Sequence, residues 1–421
     1  MKSAAILLVL VALAAPLLAQ NGAPLDPEAA TRAYLDGLSP EEKERSDSYF
    51  EGGYWLQLWS FLLAVAVGWA LLHFRISRWM RERASRVTRF AAIHRFLYWT
   101  GYLLLTSAAL FPWLVYTGFF REHQYDLSNQ TFAAWMGDWT KGLIVELIFG
   151  GLLFVAAYAL IRRYPRSWWL RVALVLIAFL IIGVAIGPVF IAPLFNEYTP
   201  LDDARVRDPI LRMASANGID AENVWVMDAS RQTSRISANV SGLLGTQRIT
   251  LNDNLLNRTS LPEIEAVMAH EIGHYALNHI WKMILMLGLV IVAGFAFLQW
   301  GFERARARWG ERWGVENIAD LAGAPLLVIL FLTWFFVMTP VTNTIIRVQE
   351  AEADIFGLNA ARQPDGFAEV ALKLGEYRKL EPGPIEEMIM FDHPSGRSRI
   401  LMAMRWKAAQ AEGEAPPVAD R

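Results

Sequence analysis

The chain has 421 residues, 54% of them hydrophobic and only 19% charged, with a formal net charge of −2. A soluble protein of this length carries more charge, and the near-neutral balance leaves no basis for nucleic-acid binding. With no cysteine in the chain, disulfide staples, thiolate nucleophiles and cysteine-ligated zinc are excluded.

The first segment, MKSAAILLVLVALAAPLLAQ (1–20), has one lysine, an apolar stretch and small residues near its end. It reads as a secretory signal peptide, with an uncleaved first transmembrane helix as the alternative. Six long apolar runs follow: Leu56–His73, Phe96–Phe120, Leu143–Ile161, Val172–Phe195, Met283–Leu298 and Leu321–Pro340. Each approaches the ~20 residues that cross roughly 30 Å of hydrocarbon. Tryptophans such as Trp55, Trp99, Trp168, Trp281 and Trp300 sit near the ends of these runs, where indole rings favour the membrane–water interface. The expected class is an α-helical polytopic membrane protein with six spans, or seven if residues 1–20 stay attached. Residues 21–195 then hold membrane helices with short loops, and 281–345 hold two more.

Loop charge sets an expected orientation. Residues 21–51 contain eight Asp/Glu and three Lys/Arg, whereas Arg75–Arg95 contains seven Arg and one Glu. The short loop 162–167 adds Arg162, Arg163 and Arg166. Positive loops stay in the cytoplasm, so alternation places 196–280 on the extracytoplasmic side of what reads as a bacterial cytoplasmic membrane.

Residues 196–280 form the largest polar stretch between spans. They read as a helix over Leu201–Asn217, a strand over Asn223–Met227, and two pairing strands at Ile236–Val240 and Arg248–Leu251 joined by SGLLGT (241–246). A second helix opens with Ser260 as cap, Pro262 in the first turn and Glu263 at the capping-box position. Its uninterrupted pattern predicts that it runs through Ile280 into the following span. Residues 346–410 form the second half of this domain, and the polar tail 411–421 reads as disordered.

The helix carries HEIGH at 270–274. His270 and His274, four apart, share one face and can hold one zinc ion, and Glu271 is placed as the base toward an activated water. A third ligand must be another His or a carboxylate. Glu350 and Asp354 are four apart on one helical face; one could bind the metal while the other receives the free ring N–H of a ligand His. Glu352 points roughly 200° away on such a helix. His393, in DHPSG, could hydrogen-bond the oxyanion of a tetrahedral intermediate, as could an arginine. His279, five residues past His274, faces elsewhere on a continuous helix. A peptide substrate could add as a strand along Ile236–Val240, where Asn239 suits a backbone hydrogen bond.

Five stretches in order, APLFNEYTPL (192–201), ISANVSGLLGTQRITLNDNLL (236–256), HEIGH, EAEAD (350–354) and HPSGRSRI (393–400), resemble the Ste24-type integral-membrane zinc metallopeptidases, the CAAX prenyl protease 1 family. The resemblance implies one zinc held by His270, His274 and Glu350, with Glu271 as catalytic base. It implies that Asp354 supports a ligand His, that His393 and Arg399 lie near the active site, and that Asn239 sits on the substrate-binding strand. The implied fold is a ring of about seven tilted spans around a water-filled chamber, capped by a small α+β, gluzincin-like zinc-peptidase domain. Such a chamber would also account for polar Asn129, Gln130 and Thr131 beside a span. The implied partners are membrane-associated peptides and the lipid bilayer, with a monomer as the default state. The signal-like N-terminus and the end in VADR depart from eukaryotic members, which face the cytosol and process prenylated C-termini; prenylated proteins are therefore not the expected substrates here. The alternatives are an HtpX-like quality-control protease and a non-enzymatic transporter or scaffold.

Overall fold

A computed structural model describes residues 25–243 and 247–413. The signal-like segment 1–20, part of the 241–246 turn and most of the 411–421 tail lie outside the described residues.

Helix α1 (Pro27–Leu35) is capped by Asp26, which accepts from the N–H of Glu28, with Pro27 in the first turn. The next helix, α2 (Pro40–His73), opens on a reciprocal Ser39–Glu42 cap, which explains why a membrane-length helix starts in an acidic segment. The Arg-rich loop is itself mostly a helix, α3 (Ile76–Val87). Next come α4 (Ala91–Val115, running on to Gln124 through a π-turn), α5 (Phe132–Arg163) and α6 (Trp168–Ile186). Where α4 meets α5, Gly150 and Gly151 take the rings of Trp99 and Phe96 with no room for a Cβ, the small-residue crossing usual between membrane helices.

The polar segment forms a four-stranded sheet in the order β1-β2-β4-β3, from β1 (Tyr198–Pro200), β2 (Val224–Met227), β3 (Ala238–Ser241) and β4 (Arg248–Asn252). Strand β2 runs parallel to β4, and the other two pairings are antiparallel. The expected pairing of the third and fourth strands is present, with Asn239 opposite Thr250. Strand β1 was not expected: a three-residue strand ending in proline has no alternating pattern. Its presence delays the expected 201–217 helix, so that α7 (Ala204–Ala216) starts after its cap Asp203.

Helices α8 (Asp253–Arg258) and α9 (Leu261–Ala276) follow β4. The four-residue spacing of Ile264, Met268 and Ile272 buries one stripe of α9 against Ile249 and Leu251 of the sheet. Contrary to the expectation of one continuous helix, α9 stops at Ala276. Asn278 adopts a left-handed conformation (φ 58°) and α10 (His279–Trp313) starts in a new direction. Asparagine is among the few residues that occupy this region readily.

The chain returns through α11 (Ala324–Val337) and α12 (Thr339–Ala361), which meet at a 53° bend; Pro340 in the first turn of α12 lacks the N–H an unbroken helix would use. The fold closes with α13 (Pro364–Leu374), α14 (Pro384–Met390) and α15 (Gly396–Ala411). Among the described residues, five helices are long and apolar enough to cross a membrane, and the bent α11–α12 pair makes up to six. Ile144, Ile148 and Leu152, four apart on α5, are exposed, as a lipid-facing stripe must be. The protein is an integral membrane protein.

Buried apolar side chains of these spans cluster at one end: Leu72 of α2, Tyr98 of α4, Tyr158 of α5, Trp168 of α6 and Phe302 of α10. The opposite ends of α5 and α6 contribute nothing to that cluster. The helices are thus gathered at the Arg-rich end and open toward the sheet domain, the geometry of a chamber under a cap. Asn129 and Gln130 serve the junction with that cap. Asn129 donates to Ser230 O and Gln130 to Asp138, while Gln232 donates to the same carboxylate.

Candidate metal centre

Two helices build the site. The face of α9 turned from the sheet packs on α12 at very short range: a Cβ on Gly273 would lie 2.9 Å from the Phe356 ring, and one on Gly357 would lie 3.0 Å from the backbone N of His270. This approach sets the imidazoles of α9 against the carboxylates of α12.

His270 Nε2 and His274 Nε2 face each other at 3.1 Å. Glu350 closes the triangle, Oε2 at 3.2 Å from His270 Nε2 and Oε1 at 3.5 Å from His274 Nε2. One ligand atom from each residue falls within 4.8 Å of the others. Two imidazoles and a carboxylate converging at this range form a donor set that can hold a divalent metal ion.

Behind His270, Asp354 is fully buried. His270 Nδ1 lies 2.7 Å from Asp354 Oδ1, and Arg399 donates from Nε (2.9 Å) and Nη2 (2.5 Å) to the same carboxylate. Burial alone would lower the His270 pKa; its bonds to Asp354 and Glu350 outweigh that and push the ring up to about 10. The carboxylates of Glu350 and Asp354 on either side of the ring make the pocket strongly negative, which a divalent cation fits.

Glu271 lies beside His270 in a cavity of about 230 Å³ that also reaches His393 and Arg399. Among the described residues no side chain donates a hydrogen bond to its carboxylate, and burial raises its pKa above the usual carboxylate value against the pull of both histidines. His393 gives Nδ1–H to Asp392 at 2.8 Å and turns Nε2 toward Glu350 Oε2 at 3.3 Å. Arg399 is committed to Asp354, and Arg397 turns away to Glu28. Asn239 lies on β3, an edge strand; Ala238 at its start and Ile236 and Ser237 just before it line the same cavity.

Two residues set aside by sequence reasoning are at the site. The break at Asn278 carries His279 back to His274, Nδ1 to Nδ1 at 2.9 Å, and His279 Nε2 meets Glu352 Oε2 at 3.0 Å. His279 does not face elsewhere, because the helix that would have turned it away has ended. The asparagine directly before it was the one available signal.

A His–His–Glu triangle with a further carboxylate in an adjoining cavity, in a chain with membrane-length helices, defines a membrane metallopeptidase. The model for "Peptidase family M48" matches residues 200–407, and that for "CAAX prenyl protease N-terminal, five membrane helices" matches residues 27–197. The chain belongs to peptidase family M48, in its CAAX prenyl protease branch. It is 28% identical over 361 residues to the uncharacterized metalloprotease YhfN of Bacillus subtilis, covering 84% of each chain. It is 23% identical over 369 residues to a CAAX prenyl protease 1 homolog of Oryza sativa, covering 85% of this chain and 86% of that one. The crystal structure of S. mikatae Ste24p shares the fold, with a TM-score of 0.72 at 22% identity over 90% of this chain and 95% of that one. Membership in a peptidase family sets aside the transporter or scaffold alternative.

Proposed function

We propose that the chain is a zinc-dependent endopeptidase acting on membrane-associated or hydrophobic peptides. The carrying observation is the cavity that joins Glu271 and His393 to an apolar wall of Leu255, Val267, Phe367, Val370 and Leu374. The apolar wall takes a hydrophobic side chain next to the bond being cut.

His270, His274 and Glu350 would hold the zinc, which when bound acidifies a water and polarises the scissile carbonyl. Glu271 takes the proton of the attacking water and passes it to the leaving amine; its raised pKa suits a group that must both accept and release a proton. His393, held at Nδ1 by Asp392, would as the imidazolium donate from Nε2 to the carbonyl oxygen as it gains charge. The edge of β3 offers backbone groups, and Asn239 a side-chain amide, to an extended peptide.

The test is a series of quenched peptides in detergent, identical except for one residue after the cleaved bond. Chelator-sensitive cleavage that prefers Leu, Val or Phe over Asp or Lys supports the reading. Cleavage indifferent to that residue, or unaffected by chelation, overturns it. Adding unfolded membrane proteins to the series would detect an HtpX-like quality-control role.

A further inference from the structure

His270 has an evident support in Asp354, but among the described residues His274 has no carboxylate behind it. Its Nδ1 meets another imidazole, His279, and beyond that ring come Glu352 and then Lys282, whose Nζ lies 2.7 Å from Glu352 Oε2. We propose that His279 and Glu352 are positioning residues for the zinc ligand His274, forming a support that runs through a second histidine. The inference rests on His274 being a ligand, as proposed above.

Hydrogen-bond bookkeeping allows one arrangement. A His274 that offers Nε2 to a metal carries its proton on Nδ1. That N–H donates to His279 Nδ1, which must therefore be a bare acceptor. The His279 proton is then on Nε2, where it donates to Glu352 Oε2. Glu352 also accepts from Lys282, so both donors in the chain end on a carboxylate. Every proton has one place, and the His274 ring is fixed in rotation and tautomer.

The fold makes this possible at two points. On an unbroken helix a residue five past His274 would sit roughly 140° around the axis; the left-handed Asn278 removes that offset. On α12 the EAEAD run then supplies three carboxylates with three tasks: Glu350 faces the metal site, Asp354 holds His270, and Glu352 reaches the flank where α10 begins. His279 is fully buried, whereas Glu352 is partly open. A buried imidazole bonded on both nitrogens is an expensive way to fill space, which argues for a task at its neighbour.

The test compares zinc affinity, by chelator competition on the full chain in detergent, for the native protein and for H279A, E352L, E352Q and H274A. The thermal midpoint of each zinc-free protein is measured alongside, with the visible spectrum of each cobalt-loaded one. The inference predicts that H279A and E352L bind zinc about 10- to 100-fold more weakly and shift the cobalt bands. E352Q, whose amide oxygen still accepts from His279, stays within about threefold of native. If H279A does not fold, the E352L and E352Q pair carries the test. Native affinity and spectra in H279A and E352L, with only a lower zinc-free midpoint, would reduce the pair to packing and overturn the inference. Should H274A itself keep native zinc affinity, the ligand assignment fails first.

Discussion

Gly357→Ala is a one-methyl change on which two effects compete. The new Cβ would lie 3.0 Å from His270 N and 3.2 Å from His270 Cα, both backbone atoms that cannot rotate aside. Ordinary carbon contacts settle at about 3.5–4.0 Å, so α12 must back away from α9 by roughly half an ångström. In a solvated helix Gly→Ala would stabilise by about 0.8–1 kcal/mol. Forcing a methyl into a closed contact costs about 1–3 kcal/mol, so the steric term wins and the midpoint falls. The site is affected more than the fold. Glu350 rides on α12 and both histidines on α9, and a metal site tolerates about 0.2 Å in its ligand distances. Zinc affinity should fall at least about tenfold, and kcat/KM by up to about 100-fold if the displacement approaches 1 Å. Chelator competition and thermal scans of the zinc-free protein read both quantities. A variant with native zinc affinity and a raised midpoint would show helix propensity acting alone, and would refute the claim that this contact sets the site.

Three further outcomes follow from the same geometry. Asp354→Ala leaves the Arg399 guanidinium buried without its acceptor and takes away the carboxylate beside His270; it should cost about 3–5 kcal/mol of stability, seen as a large drop in thermal midpoint, whereas Asp354→Asn costs less. Because burial raises the Glu271 pKa and the base works only when ionised, kcat/KM should fall as pH drops through that value. The acid limb should be centred above the ordinary 4.5 of a glutamate, and a pH–rate profile flat down to that value would contradict the assignment. Val370→Phe, which fills part of the apolar wall, should lower kcat/KM for large residues after the cleaved bond more than for alanine. Equal losses across such a series would place the side-chain site elsewhere.

Much of the architecture was legible because its causes are local. Apolar runs of membrane length can only be spans, and the Ser260–Glu263 cap announces α9. The four-residue spacings of His270 with His274 and of Glu350 with Asp354 survive folding because both lie inside unbroken helices. Legibility ended where one residue changes direction. At Asn278 the sequence keeps a helical pattern while the backbone turns left-handed, and this alone decides whether His279 faces away from His274 or onto it. Strand β1 was hidden because its only reason to extend is β2, a partner outside its own sequence. Asn129 and Gln130 read as chamber polarity, whereas their partners are Ser230 and Asp138 at the domain junction. The close approach of Gly357 to His270 could not be seen without the second helix in place.

The central claim is that Glu271 works on a water activated by the cation held at His270, His274 and Glu350. Native protein and the Glu271→Ala variant, purified in the same detergent, should be compared for zinc content and for cleavage of one apolar quenched peptide. The account predicts one zinc per chain in both and cleavage by the native protein alone. A variant that cleaves at the native rate, or native protein that holds no zinc in metal-replete buffer, would contradict it.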